Sequence, residues 1–166
     1  TVLNLKGCTA LKTIGNRAFL NLSKNSSKTE GYNLVLDFSS CTSLETILES
    51  GCQSAKAVAF ILPASVKELQ KNAFNLCTNA QYSRYFCKLP ELGSSALKSL
   101  YKKKCYVLPG NKADYENVGF TDVEEFDATG IKSIASSIAN GKAYSITGQP
   151  YNGNGIRIIG GKKYSK

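Results

Sequence analysis

The sequence predicts an α/β repeat: a short solenoid with a parallel sheet on one face, followed by a small C-terminal β-hairpin module. Three observations predict it. First, Val2-Leu-Asn-Leu-Lys-Gly-Cys-Thr-Ala-Leu-Lys-Thr-Ile14 aligns without gaps on Val35-Leu-Asp-Phe-Ser-Ser-Cys-Thr-Ser-Leu-Glu-Thr-Ile47, at an offset of 33 with seven of thirteen positions identical. Second, a third copy follows 22 residues later, where Leu44 and Ile47 recur as Val66 and Leu69. Third, the chain closes with two short alternating runs, Ser145–Gln149 and Gly155–Tyr164, around a turn rich in Gly, Asn and Pro. Self-similarity at such a period marks stacked supersecondary units, and alternation around turn residues marks paired strands.

Each unit carries a short alternating strand (Leu3/Leu5, Leu36/Phe38, Val58/Phe60) and a second apolar pair three residues apart. One unit cannot bury both sets. Stacking units side by side buries them in a continuous core and aligns the strands in a parallel sheet. Period-2 alternation then turns Asn4 and Lys6, Asp37 and Ser39, and Ala57, Ala59 and Ile61 away from that core. Ala18-Phe19 in the first unit recurs as Ala73-Phe74 in the third, with Gly51-Cys52 in the second. The extra polar stretch 22–33 reads as a surface loop insertion.

Beyond Ser83 the pattern degrades. Ser94-Ser-Ala-Leu-Lys-Ser-Leu-Tyr-Lys-Lys-Lys104 has a Ser cap, apolar residues at 97, 100 and 101, and lysines in the last turn. That combination predicts an amphipathic helix. Cys105-Tyr-Val-Leu-Pro-Gly-Asn-Lys-Ala-Asp-Tyr115 predicts a strand, a Pro-Gly turn and a short helix. The domain organisation expected is a solenoid over 1–126, with clear repeats over 1–80 and degenerate capping repeats over 85–126, and a hairpin tail over 127–166.

At Leu11-Lys-Thr-Ile-Gly-Asn-Arg-Ala-Phe19 and Leu62-Pro-Ala-Ser-Val-Lys-Glu-Leu-Gln-Lys-Asn-Ala-Phe-Asn-Leu-Cys77 the chain resembles BspA-type leucine-rich repeats, whose units read I-P-x-S-V-x-x-I-G-x-x-A-F-x-x-C. The resemblance covers 1–80 and implies a short leucine-rich-repeat solenoid of a secreted or surface-attached bacterial protein that binds and adheres. The 105–115 stretch is similar to the Y-V-P-x-G-x-x-x-x-Y unit that often closes such arrays, with Gly119-Phe120 after it. The tail resembles the C-terminal sorting segment of exported Bacteroidetes proteins through Tyr144, Gly148, Gly155, Ile156, Ile158, Gly161, Lys162 and Lys163. A plain hairpin packed on the solenoid end is the alternative for that stretch.

Composition bounds the chemistry. At 42% hydrophobic and 20% charged residues the 166-residue chain is globular, and no apolar run approaches the roughly 18 residues needed to span a bilayer. The opening Thr1-Val2-Leu3-Asn4-Leu5 reads as folded strand, so any export signal is expected upstream, with peripheral or lipid-anchored membrane association through that missing segment. A charge of +9 favours anionic partners, but the lysines are scattered apart from Lys102-Lys103-Lys104 and Lys162-Lys163. Specific nucleic-acid binding is therefore not expected.

No histidine is present, which removes the usual base for a serine or cysteine nucleophile. Asp122, Glu124, Glu125 and Asp127 crowd one short stretch, whereas a glycosidase pair flanks a cleft from separate elements. Gly153-Asn-Gly155 fails as a dinucleotide fingerprint because the sixth residue is Ile158, and Gly161-Lys162-Lys163 lacks the Ser/Thr of a P-loop. Without a C-x-x-C pair, six cysteines at 8, 41, 52, 77, 87 and 105 do not propose a metal site. Cys8, Cys41 and Cys77 occupy repeat-equivalent or family cysteine positions and are expected as buried thiols. For Cys87 and Cys105 a disulfide and two free thiols both remain open.

The expectation is thus a non-enzymatic, monomeric module without metal or cofactor, secreted or at the outer cell surface, that binds a protein or glycan of host origin. Its candidate ligand-binding residues are Asn4, Lys6, Asp37, Ser39, Tyr82 and Tyr85. The dense aromatics Tyr82, Tyr85, Phe86, Tyr101 and Tyr106 form either a recognition patch or a cap on the apolar stack. A binder of anionic polymers driven by net charge and a structural spacer in a surface protein are the alternatives.

Overall fold

The computed structural model describes residues 2–3, 5–22, 34–127, 157–159 and 162–164. Two compact units divide the chain, Thr1–Phe126 and Asp127–Lys166. The first is a repeat solenoid whose regular structure is almost all parallel strand. One strand of each rung enters a six-stranded sheet formed by β1 (Val2–Leu3), β3 (Val35–Asp37), β5 (Ala59–Leu62), β7 (Tyr82–Tyr85), β9 (Lys104–Val107) and β10 (Val123–Glu125), paired in that order. A second strand enters a four-stranded sheet of β2 (Thr13–Ile14), β4 (Thr46–Ile47), β6 (Glu68–Leu69) and β8 (Glu91–Leu92). Every pairing in both sheets is parallel.

A third side is closed by turns rather than strands. Arg17, Phe19 and Asn21 donate their N–H groups to the carbonyls of Glu49, Gly51 and Gln53; Ser50, Cys52 and Ser54 donate in turn to Lys71, Ala73 and Asn75. The next rung repeats the pattern, with Asn72 and Phe74 donating to Ser94 and Ala96. This ladder satisfies backbone groups that would otherwise be buried without partners. It requires left-handed backbone at Arg17 and Asn21, Ser50 and Ser54, Asn72 and Leu76, and Ser95, with φ between 56° and 58°. Non-glycine residues reach that region at a cost of roughly 1–2 kcal/mol each, which the ladder offsets.

The same ladder overrides the helix expected over Ser94–Lys104. In a helix the carbonyls of Ser94 and Ala96 would accept from residues four ahead, but here they accept from Asn72 and Phe74. The segment is a run of turns leading into β9. Its apolar residues still point inward, with Ala96, Leu97 and Leu100 buried. Helix is confined to one short segment among the described residues, α1 (Lys112–Asn117), which follows the Pro109-Gly110 turn and buries Tyr115. The α/β expectation is therefore corrected to a parallel β-solenoid with little helix.

The core runs the length of the stack. Leu36 and Phe60 lie in register on adjacent strands, Ile47 and Leu69 do so on the other sheet, and Phe38, Leu44 and Phe74 fill between them. Cys41, Cys52, Cys77, Cys87 and Cys105 are buried free thiols. Cys8 departs from expectation: it is exposed, because it lies in the first rung and no described residue stacks on its outer side. Ala57 and Ala59 also depart, both fully buried. Ala57 belongs to the core cluster, since alternation begins only at Ala59, and Ala59 is a small side chain in register between the larger Val35 and Tyr82.

In the second unit β11 (Arg157–Ile159) pairs antiparallel with β12 (Lys162–Tyr164). Both strands come from the second of the two predicted runs, so the pairing lies C-terminal to the turn expected between them. Ser145–Gln149 and the 23–33 part of the expected loop lie outside the described residues.

Candidate binding face of the six-stranded sheet

Alternation along the six-stranded sheet sorts its side chains into two faces. Leu36, Phe60, Ser83, Cys105 and Val123 form an inner row, all buried. Two outer rows cross the strands at matched register: Val35, Ala59, Tyr82 and Lys104, then Asp37, Ile61, Arg84, Tyr106 and Glu124. Apart from buried Ala59 and exposed Glu124, these side chains are half-exposed.

The centre of the face is an arginine among aromatic rings. The Arg84 guanidinium carbon lies 5.5 Å from the Tyr106 ring centre and 5.1 Å from that of Phe126. Tyr82 meets Tyr106 edge-on at 6.0 Å, and Phe86 meets Phe126 edge-on at 5.2 Å. Cations over ring faces are attracted by the ring quadrupole, and edge-on pairs are the favoured aromatic geometry. Beside Phe86, at the C-terminal ends of β3, β5 and β7, a shallow depression of about 200 Å³ is lined by Ser39, Thr42, Pro63, Ala64, Ser65 and Phe86. Its hydroxyl groups are partly committed: Ser65 Oγ donates to the Leu44 carbonyl at 2.8 Å. Asp37 Oδ1 accepts from the Ser39 N–H at 2.8 Å, which fixes the turn at the rim.

Two cations share this face and differ sharply in environment. Lys104 Nζ, 5.8 Å from the Tyr106 ring centre, is held by Asp122 at 3.0 Å and Glu124 at 2.9 Å. Hydrogen bonds to Glu124 and then Asp122 push its pKa above the ordinary lysine value. No described carboxylate pairs with Arg84, and its Nε is buried with no hydrogen-bond partner.

Of the residues expected to bind ligand, Asp37, Ser39 and Tyr82 gather here. Lys6 is exposed in the turn after β1, and Asn4 lies outside the described residues. Tyr85 does not reach the surface. It is 1% exposed and packs on Tyr115 at 4.8 Å and Phe120 at 6.0 Å, because residues three apart on a strand fall on opposite faces. Burial raises its hydroxyl pKa well above the ordinary value. Of the aromatic set, Tyr82, Phe86 and Tyr106 form the patch, whereas Tyr85 and Tyr101 close the end of the core with Tyr115 and Phe120. Arg84, Lys104 and Phe126 belong to the face and were absent from the candidate set. The signal for Arg84 was its position two residues after Tyr82 in an alternating Tyr-Ser-Arg-Tyr strand.

The acidic stretch has structural work: Asp122 and Glu124 hold Lys104, and Glu125 Oε1 accepts from the Gly110 N–H at 2.8 Å. Among the described residues no group of three Cys, Asp or Glu side chains is placed to hold a metal ion, and no helix is long and apolar enough to cross a membrane. Comparison with known proteins finds no matching family model, curated protein or solved structure.

Proposed function

We propose that this chain is a non-enzymatic binding module that takes a protein or glycan ligand on the outer face of its six-stranded sheet. The observation that carries the reading is the cluster Tyr82, Arg84, Tyr106 and Phe126, half-exposed on a rigid sheet and continuous with an apolar depression. Tyr, Phe and Arg are the residues enriched in the cores of recognition surfaces. Strands fix such side chains better than loops do. The resemblance to BspA-type leucine-rich repeats and the sorting-like tail support a secreted or surface-attached location. The test is a screen of immobilised matrix proteins and polysaccharides with the full chain. Ligands found should be lost in Ile61→Lys and Tyr106→Ala variants whose far-UV spectra are unchanged; silence across both panels rejects the reading.

A second reading, binding of anionic polymers, draws on the distribution of charge. Lys132, Lys142, Arg157, Lys162, Lys163 and Lys166 lie beyond Phe126, where Asp127 is the one acid. On this reading the tail and not the sheet binds the polymer. Affinity for heparin or duplex DNA would fall steeply with salt, and Lys162→Gln/Lys163→Gln would flatten that slope. Salt-insensitive or absent binding removes it.

A further inference from the structure

Among the described residues no acid pairs with Arg84, whereas Lys104, the other cation of the face, is neutralised. Lys104 has Asp122 at 3.0 Å and Glu124 at 2.9 Å. On its own row the acids are remote. Glu124 lies beyond Tyr106 and is bound to Lys104; Asp37 lies two strands away, roughly 10 Å by strand spacing, with one oxygen on the Ser39 amide. The Tyr106 and Phe126 rings hold the guanidinium in place, which reduces the entropy lost when it engages a ligand. A planar fork of donors, fixed and unpaired, matches a carboxylate with two parallel hydrogen bonds.

We infer that Arg84 receives one Asp or Glu carboxylate from a short extended segment of a protein partner, while the depression beside Phe86 takes an apolar side chain of the same segment. This rests on the sheet-face reading above. Arg84 and Phe86 are two residues apart, the spacing at which alternate side chains of an extended ligand project to one side, about 7 Å. The motif expected is therefore one apolar and one acidic residue two positions apart, in the order set by the direction of the segment. Several observations favour a peptide over an acidic glycan. Tyr106 has Arg84 and Lys104 near its ring and meets Tyr82 edge-on, while Phe126 has Arg84 over it and a perpendicular Phe86, so a sugar stacking on either ring competes with a cation already there. The depression is lined by Pro63, Ala64 and Phe86 with Ser39, Thr42 and Ser65, of which Ser65 is committed to the Leu44 carbonyl, and it carries no amide or charged side chain to read sugar hydroxyls. Asp37 and Glu124 at the two ends of the row repel a polyanion but leave room for a single acid.

The test pans a display library of heptapeptides on the immobilised full chain and remakes the selected sequences as acetylated, amidated peptides with Glu or Gln at the acidic position. Expected are enrichment of motifs with an apolar and an acidic residue two positions apart and about tenfold tighter binding of Glu over Gln, the scale of a charge-assisted hydrogen bond. Arg84→Gln should abolish that preference and Arg84→Glu should invert it toward Lys peptides, an outcome that misfolding does not produce. Equal binding of Glu and Gln peptides, a preference that survives Arg84→Gln, or no peptide selected at all overturns the inference. So does Arg84-dependent binding of oligogalacturonate without peptide binding. If Ile61→Lys leaves the selected peptides bound, the sheet-face reading itself fails; if it abolishes binding while Glu and Gln remain equal, the carboxylate assignment alone fails.

Discussion

Desolvation pushes the Cys77 thiol up to about 12 and the Cys87 thiol from 9.0 to about 11, while Cys8 lies in solvent. Burial likewise raises Cys52 and Cys105, the latter to about 12. The buried thiols therefore stay protonated and shielded at neutral pH, and thiolate is the reactive form. Native protein should react with a thiol reagent rapidly at Cys8 alone, the other five following only on denaturation; a second fast site found by peptide mapping contradicts the burial pattern. The stability consequence has a definite sign. A thiol whose folded pKa is raised leaves the folded state holding more protons than the unfolded state, so its contribution is complete below pH 9 and is lost as pH climbs toward 11 or 12. For Cys87 alone the loss is on the order of 2–3 kcal/mol. Thermal melting should hold level up to about pH 8.5 and fall above it, and Cys87→Ala should blunt that fall. The family resemblance implied a buried Cys77, and the repeat match foretold a buried Cys41. It missed Cys8 because burial of a repeat position depends on a neighbouring rung, which the position itself does not encode.

The turn ladder sets the tolerances of individual elements. A Cβ on Gly93 would sit 2.4 Å from the Lys71 amide nitrogen and 2.7 Å from the Gln70 carbonyl carbon, both backbone. A Cβ on Gly15 meets nothing within 4 Å. Gly93→Ala should therefore destabilise by about 1–3 kcal/mol in chemical denaturation, the scale of overpacking, with Gly15→Ala near neutral; equal effects would contradict the close approach of the rungs. At Leu76, with φ 58° and 53% exposed, the left-handed backbone bears an ill-suited side chain. Leu76→Asn should raise the melting temperature, since Asn tolerates that region through local hydrogen bonding. Period-2 alternation made strands β1, β3 and β5 readable. The Ser94–Lys104 segment misled because its cap, apolar spacing and lysines are all local helix signals, whereas the carbonyls that decide its conformation are claimed from Asn72 and Phe74, more than twenty residues away in the chain. Arg84 escaped the candidate set because Tyr82 and Tyr85 were grouped as aromatics, whereas the strand sorts side chains by alternation and puts Arg84, not Tyr85, on the face of Tyr82.

Across the whole solenoid the two ends are unlike. At one end Tyr115 and Phe120 are buried over the last rungs; at the other Leu3, Leu5, Leu11, Phe19 and Leu22 are only partly covered. Stability in a stacked array is the sum of rung and interface contributions, so the thinly covered rung opens first. Hydrogen exchange should be fastest in β1 and β2 and slowest in β5, β7 and β9, and the reverse gradient would sink this account. The repeat made the architecture legible over the first two rungs, where sequence identity is high. The later rungs keep the backbone pairing while changing nearly every side chain, so the eye finds a degenerate region where the hydrogen bonds find another turn of the same coil. Paired positions show how loose the length rule is: Val2 meets Val35, Val35 meets Ala59, Ala59 meets Tyr82 and Tyr82 meets Lys104, intervals of 33, 24, 23 and 22 residues. Phase is kept on the faces, and the corners absorb the difference. A foreign peptide grafted at a corner, such as the exposed Thr78 turn, would leave each ladder in step; one extra residue spliced into β7 would rotate Arg84 into the core and swap every side chain after it to the opposite side.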